Sequence, residues 1–171
     1  MRNHKVKFIA VLIALMWLLV GCFFAENNEG IPYKESDFTV TLSVRIESLP
    51  DNMHLLDREK HELVPDGGVI FPATEVRAWE GESVFDVLHR EMRNAGIHMA
   101  FRNTPFLDSA YVEAINNIYE FDAGELSGWM YTVNGEFPGL GASQYLLNLG
   151  DVIEWVYTLD LGRDVGGYES W

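Results

Sequence analysis

The chain has 171 residues with 26 acidic against 12 basic side chains, a formal charge of −14, and a hydrophobic fraction of 48%. That balance argues against a nucleic-acid partner, because phosphate binding relies on clustered Lys and Arg. Its single cysteine excludes an internal disulfide.

Residues 1–21 read as an export signal. Arg2, Lys5 and Lys7 form a basic start, Phe8 to Val20 is an apolar run, and Leu19-Val20-Gly21-Cys22 follows. The run is too short, and too closely followed by polar residues, to be a spanning helix. The ending resembles the lipobox of bacterial lipoproteins, in which the cysteine receives a diacylglyceryl thioether and becomes the new N-terminus. Cys22 is therefore the expected lipidation site, and the expected location is the extracytoplasmic face of the cell membrane. Two acyl chains hold a protein on a bilayer where one lets it leave. Residues 1–21 carry three basic and no acidic side chains, so their removal takes the formal charge to −17. A surface so negative is repelled by anionic lipid, which leaves the acyl chains as the anchor. Residues 22–37 read as a polar linker, with Gly30 and Pro32 and no apolar period. The folded domain is expected over 38–161 and an acidic, glycine-containing tail over 162–171.

Phe38–Glu47 alternates strictly, with Phe38, Val40, Leu42, Val44 and Ile46 on one face, which predicts a half-buried strand. Leu49–Leu63 reads as a solvated loop; its His54 and His61 lack the spacing of a metal site. Pro65-Asp66-Gly67-Gly68 predicts a turn joining Glu62–Val64 to Val69–Phe71 in a small hairpin. Thr74–Trp79 alternates again. Ser83 is then a good N-cap with Asp86 three residues on, Val84, Val87, Leu88, Met92 and Ala95 recur at the helical period, and Gly96 stops the run. Ile97–Arg102 and Ala110–Ile115 read as strands joined around Pro105, and Asn116-Asn117 leads into Ile118–Phe121. Asp122–Ser127 is an acidic turn.

Gly128–Tyr157 is the most informative stretch. It contains two aromatic strands, Trp129–Val133 and Val152–Thr158, bounded by turns at Asn134-Gly135 and Asn148–Asp151. Asn-Gly suits a two-residue turn that needs positive φ at both central positions. Residues i and i+2 of a strand share a face, so Trp129 pairs with Tyr131 and Trp155 with Tyr157. Two roles are open to these four side chains: packing under the helix, or forming an aromatic binding wall. Phe137 and Tyr145 lie in the loop between the strands, where binding residues often sit on a rigid scaffold.

Strands interrupted by one helix indicate an α+β domain, a mostly antiparallel, β-grasp-like sheet with one helix packed across it. No catalytic constellation accompanies it, so the expectation is a protein that is not an enzyme. Pro138–Gln144 lacks the lysine and setting of a phosphate loop, and Ser143 is not in a nucleophile elbow. Asp160 and Asp164 lack the remaining ligands of an EF-hand.

Tyr111-Val-Glu-Ala-Ile-Asn-Asn-Ile, Gly128-Trp-Met-Tyr-Thr-Val-Asn-Gly and Gly141-Ala-Ser-Gln-Tyr-x-Leu-x-x-Gly-Asp-x-Ile-Glu-Trp-x-Tyr together resemble the transcobalamin-like C-terminal domain. That domain is the smaller, β-rich part of vertebrate cobalamin carriers and also occurs in exported bacterial proteins. Glu80-Gly-Glu-Ser-Val-Phe-Asp-Val-Leu resembles its strand-to-helix entry. The resemblance implies a β-grasp-type fold that binds a small soluble ligand, with a corrinoid such as cobalamin as the candidate. The expected ligand-binding residues are Trp129, Tyr131, Phe137, Ser143, Tyr145 and Trp155. In the vertebrate carriers the corrinoid lies between this domain and a larger helical one, for which this chain has no room. An envelope or transporter protein would then supply the opposite wall. The alternative is a cell-surface protein–protein interaction module with no small ligand.

Overall fold

Strand β1, Asp37–Arg45, lies at the centre of the main sheet. The computed structural model describes residues 37–104 and 109–167. Signal, lipobox and nearly all of the linker, including Cys22, lie outside the described residues. β1 has Val40, Leu42 and Val44 buried along one face, and Ile46 just after its end is buried too, as the alternation predicts. β2, Val69–Trp79, runs antiparallel beside it and forms the sheet's outer edge. Pro72 is tolerated there because an edge strand can spare one donor, and the ladder is irregular where it passes, between Leu42 and Val44.

The segment from Leu49 to Leu63 is not a solvated loop. It folds into short 3₁₀ turns, Pro50–Leu55 and Arg58–Leu63, and brings Leu49 and Leu56 into the core. Composition hid this, because two leucines anchor an otherwise polar segment. The hairpin expected between Glu62–Val64 and Val69–Phe71 is also absent. Glu62 and Leu63 finish a 3₁₀ turn, and Val69 and Phe71 pair with Arg45 and Val44 of β1. The Pro65–Gly68 turn remains, but it redirects the chain onto β1. Gly68 is required there by its φ of +69° and by a Cβ position 2.8 Å from the Glu47 backbone.

The helix α1, Val84–Ala95, begins and ends where the pattern places it. The Ser83 hydroxyl accepts from the Asp86 N–H and the Asp86 carboxylate accepts from the Ser83 N–H, a complete capping box. Gly96 closes it in the left-handed region at φ 70°. Val84, Val87, Leu88 and Met92 are fully buried. They form a single hydrophobic cluster with β1, Ala78, Ile153 and Tyr157.

A second sheet contains β3 (Met99–Thr104), β4 (Ser109–Ile115) and β5 (Ile118–Tyr119) in that order. Asn116 and Asn117 make the β4–β5 turn with φ of 54° and 60°, the paired positive values of a type I′ turn. β6 (Gly128–Val133) and β7 (Val152–Thr158) complete the main sheet, whose order is β2-β1-β7-β6. Only the β1–β7 contact is parallel. The architecture is α+β, with one helix packed against mostly antiparallel sheets.

Candidate functional site

β6 and β7 pair in the register Trp129↔Tyr157 and Tyr131↔Trp155. The Asn134 N–H donates to Val152 O at 2.8 Å. In an antiparallel ladder hydrogen-bonded pairs alternate with non-bonded ones, so both aromatic pairs are of the non-bonded kind, whose side chains stand closest. The rings meet accordingly, Trp129 and Tyr157 at 5.2 Å and Tyr131 and Trp155 at 5.3 Å between centroids. The aromatic wall therefore forms. β1 pairs Leu42 with Ile153 and Val44 with Trp155, which puts the wall on the same face as the core side chains of β1. All four aromatics are buried. Core packing and wall are thus one arrangement: the four rings pack against the interior, and Trp129, Tyr131 and Trp155 also line a cleft.

The same ladder geometry turns the backbone N–H and C=O groups of Trp129 and Tyr131 away from β7, toward the sheet's open edge. Beside that edge is a cavity of about 430 Å³. β4 supplies Tyr111 and Val112 to it, the interstrand loop supplies Phe137, Leu140 and Ala142, and the wall supplies Trp129, Tyr131 and Trp155. Its volume is at the lower end of small-ligand clefts, which run from about 300 to 1,000 Å³. Among the described residues no Asp, Glu, Lys, Arg or His lines it.

Of the six expected ligand-binding residues, Trp129, Tyr131, Phe137 and Trp155 line this cavity. Ser143 and Tyr145 stand behind its wall. The Ser143 hydroxyl accepts from the Ala110 N–H at 2.8 Å and lies 3.1 Å from the Ser109 hydroxyl, which fastens the loop to β4. Tyr145 packs edge-on against Tyr131 at 6.5 Å, and its carbonyl accepts from the Val84 N–H at 3.0 Å. Both residues hold the loop in place. Gly141 does so as well: a Cβ there would lie 2.0 Å from Ser109 Oγ. Sequence reasoning missed Tyr111, Val112 and Leu140, because β4 and the loop approach β6 only in the folded chain.

The polar tips of the lining aromatics are nearly all matched. Tyr131 OH donates to Leu140 O at 2.7 Å and Trp129 Nε1–H to Ile118 O at 2.9 Å. Tyr111 OH donates to a Glu120 carboxylate oxygen. Trp155, only 3% exposed, is the exception, since its indole N–H is buried and meets no acceptor. A buried donor left unmatched costs about 1–3 kcal/mol. Burial pushes the Tyr131 phenol up to about 12, with the Tyr145 phenol adding to the shift, so Tyr131 stays a neutral donor at any physiological pH.

A second hollow of about 480 Å³ adjoins the first, sharing Tyr111, Trp129 and Met130 with it. Phe121, Leu126 and Leu161 border it. Residues 159–165 fold back beside it, where Asp164 accepts from the Leu159 N–H at 2.8 Å. Gly162 abuts Met130 closely, a Cβ there lying 2.9 Å from the sulfur. Among the described residues no group of three or more His, Cys, Asp or Glu side chains is placed to hold a metal ion.

Residues 81–158 match a family described as a domain of unknown function, DUF4430. No curated protein matches the chain. Among solved structures, haptocorrin in complex with Cbi is similar over 75% of this chain, with 18% identity and a TM-score of 0.54. The chain spans 26% of the haptocorrin chain. A suggested metal-binding protein from Ruminococcus gnavus ATCC 29149 aligns over 72% of this chain and 97% of its own, with 16% identity and a TM-score of 0.44. The haptocorrin likeness establishes a transcobalamin-like fold.

Proposed function

We propose that this protein is a non-catalytic binding domain, anchored by lipid at Cys22 on the extracytoplasmic face of the membrane, that takes a small ligand at the open edge of β6. The observation that carries the reading is the cleft itself: an apolar cavity with aromatic walls. Haptocorrin's complex with Cbi makes a corrinoid the first ligand to try. At about 430 Å³ the cleft would grip part of so large a molecule, leaving the remainder for an envelope or transporter protein to cover.

The purified protein is to be titrated calorimetrically with cobalamin, cobinamide and haem. Phe137 is half-buried at the cleft and bears no structural hydrogen bond from its ring, so Phe137→Ala is expected to weaken binding tenfold or more, about 1.4 kcal/mol. Mass spectrometry of membrane-extracted protein should find a diacylglyceryl group on Cys22, and Cys22→Ala should abolish it; an unmodified wild-type cysteine overturns the anchor.

A protein–protein module is the second reading, and exposed apolar side chains favour it. Phe121, Leu126 and Leu161 are 59%, 44% and 53% exposed around the second hollow. It prevails if no corrinoid or haem binds while a pull-down recovers an envelope protein that is lost on Phe121→Ser.

A further inference from the structure

We infer that the open edge of β6 accepts an extended peptide segment of a partner protein, apolar where it faces the cleft and basic at its ends, as one further strand of the main sheet. The inference rests on the cleft being a binding site and names the partner that the protein–protein reading leaves open.

Hydrogen bonding is the first argument. By the alternation of the ladder, the backbone groups of Ser127, Trp129, Tyr131 and Val133 share the side turned from β7. At both ends the chain satisfies them itself. The Phe121 N–H donates to Ser127 O at 3.0 Å, and Val133 exchanges bonds with Glu136, its N–H donating at 2.9 Å and its carbonyl accepting at 3.1 Å. Between these ends, the N–H and C=O groups of Trp129 and Tyr131 meet no partner among the described residues. Two donors and two acceptors at i and i+2 are the template of a ladder, and an extended backbone complements all four.

Access is the second. Successive side chains of a strand leave from opposite faces, so a hollow bordered by three consecutive residues runs along the strand's edge. The first cavity is bordered by Trp129, Met130 and Tyr131, and the second by Gly128, Trp129 and Met130. Together they follow the edge from Gly128 to Tyr131. The sheet's other outer strand, β2, is protected by Pro72 and by the charges of Glu75 and Arg77, whereas Gly128–Val133 has neither proline nor charge.

Charge is the third, and it describes the partner's ends. Glu125 precedes the edge and Glu136 follows it; both are exposed, and neither joins an ion pair among the described residues. Arg163, beside the second hollow, is engaged by Asp160. Lysine or arginine on either side of an apolar centre complements this arrangement. A second copy of the chain does not, since each copy carries a formal charge of −14 and the edge lies within a cleft that the Phe137–Ala142 loop helps to wall.

The probe is the peptide acetyl-Lys-Val-Thr-Val-Thr-Val-Lys-amide, titrated into the purified full chain. With its valines on the cleft side, opposite Trp129 and Tyr131, their backbone groups turn toward β6 and those of the threonines turn away. Two further forms carry N-methyl groups, one on the last two valines and one on both threonines. The valine form is expected to bind about tenfold more weakly or worse, and the threonine form to bind as the parent does. Amide exchange at Trp129 and Tyr131 should slow about tenfold or more on binding, while Met130, already paired with Val156 across the ladder, is unmoved. The double variant Glu125→Gln/Glu136→Gln should bind the probe about threefold more weakly. Absence of probe binding, equal effects of the two methylations, protection that misses Trp129 and Tyr131, or unchanged affinity in the double variant overturns the inference. Protection of the same two amides that grows with protein concentration in the absence of peptide assigns the edge to a second copy and overturns it as well. Corrinoid binding without probe binding defeats this inference and leaves the small-ligand reading standing; probe binding without corrinoid binding does the reverse, and absence of both defeats both.

Discussion

Trp129 and Tyr157 stand opposite each other across the β6–β7 ladder and donate to the carbonyls of two consecutive residues of β5, Ile118 at 2.9 Å and Tyr119 at 2.7 Å. Each ring therefore serves the core with its apolar body and ties the two sheets together with its polar tip. Because the Tyr157 hydroxyl also lies 3.0 Å from the Ser127 hydroxyl, this side chain holds β5 and the turn before β6 at once.

Tyr157→Phe keeps the ring and removes those bonds, leaving the Tyr119 carbonyl unmatched by this donor. A cost of about 1–3 kcal/mol is expected in urea denaturation, with the cleft's probe binding retained. A loss within about 0.5 kcal/mol would show that the hydroxyl does not join the sheets.

Leu88 is fully buried on α1, whereas Thr39 points outward from β1. Leu88→Ala should cost about 2–5 kcal/mol by opening a cavity, and Thr39→Ala should fall within about 0.5 kcal/mol. Similar effects at both positions, measured by the same denaturation, would contradict the placement of the helix on the core.

These two sites also mark what the sequence made legible. Alternation in β1 and the capped, periodic α1 are local signals written over ten or so residues, and both elements fall where those signals place them. The strand cores around Trp129 and Trp155 were legible for the same reason. Leu49 and Leu56 were not, since burial of a leucine in a polar segment depends on what the fold sets against it. The cleft was half legible. Its aromatic wall follows from i, i+2 spacing, but its opposite wall, Tyr111 and Val112, arrives through tertiary contact, and Ser143 acts on the site only by holding Ala110. Nothing in sequence distinguishes the matched indole of Trp129 from the unmatched indole of Trp155.

The loop that roofs the cleft rests on Gly141, where a Cβ would lie 2.0 Å from Ser109 Oγ and 2.5 Å from Ser109 Cβ. Ser109 is itself buried and cannot retreat freely. Gly141→Ala is expected to cost about 1–3 kcal/mol by overpacking and to weaken probe binding by shifting Leu140 and Ala142. Ser109→Gly removes both clashing atoms, so the double variant Gly141→Ala/Ser109→Gly should recover part of the loss. Strict additivity of the two single effects would mean that the contact does not position the loop.

Alkaline pH tests the burial of Tyr131 directly. Its phenol rises from an ordinary 10.0 to about 12, burial being the main cause and Tyr145 a lesser one, while its hydroxyl donates to Leu140 O. Below pH 10 the phenol is protonated whether the chain is folded or not, and the folded state keeps its full advantage. Between pH 10 and about 12 the unfolded chain releases the proton and the folded one does not, so stability drains away across that window. One such phenol steepens the decline by about 1.4 kcal/mol per pH unit at most. Tyr131→Phe should be less stable than wild type near neutrality, having lost its bond to Leu140, yet decline less steeply above pH 10, so that the two curves converge. Urea midpoints measured across the window for both proteins decide the matter: parallel curves would mean that Tyr131 ionises as readily in the fold as in the open chain.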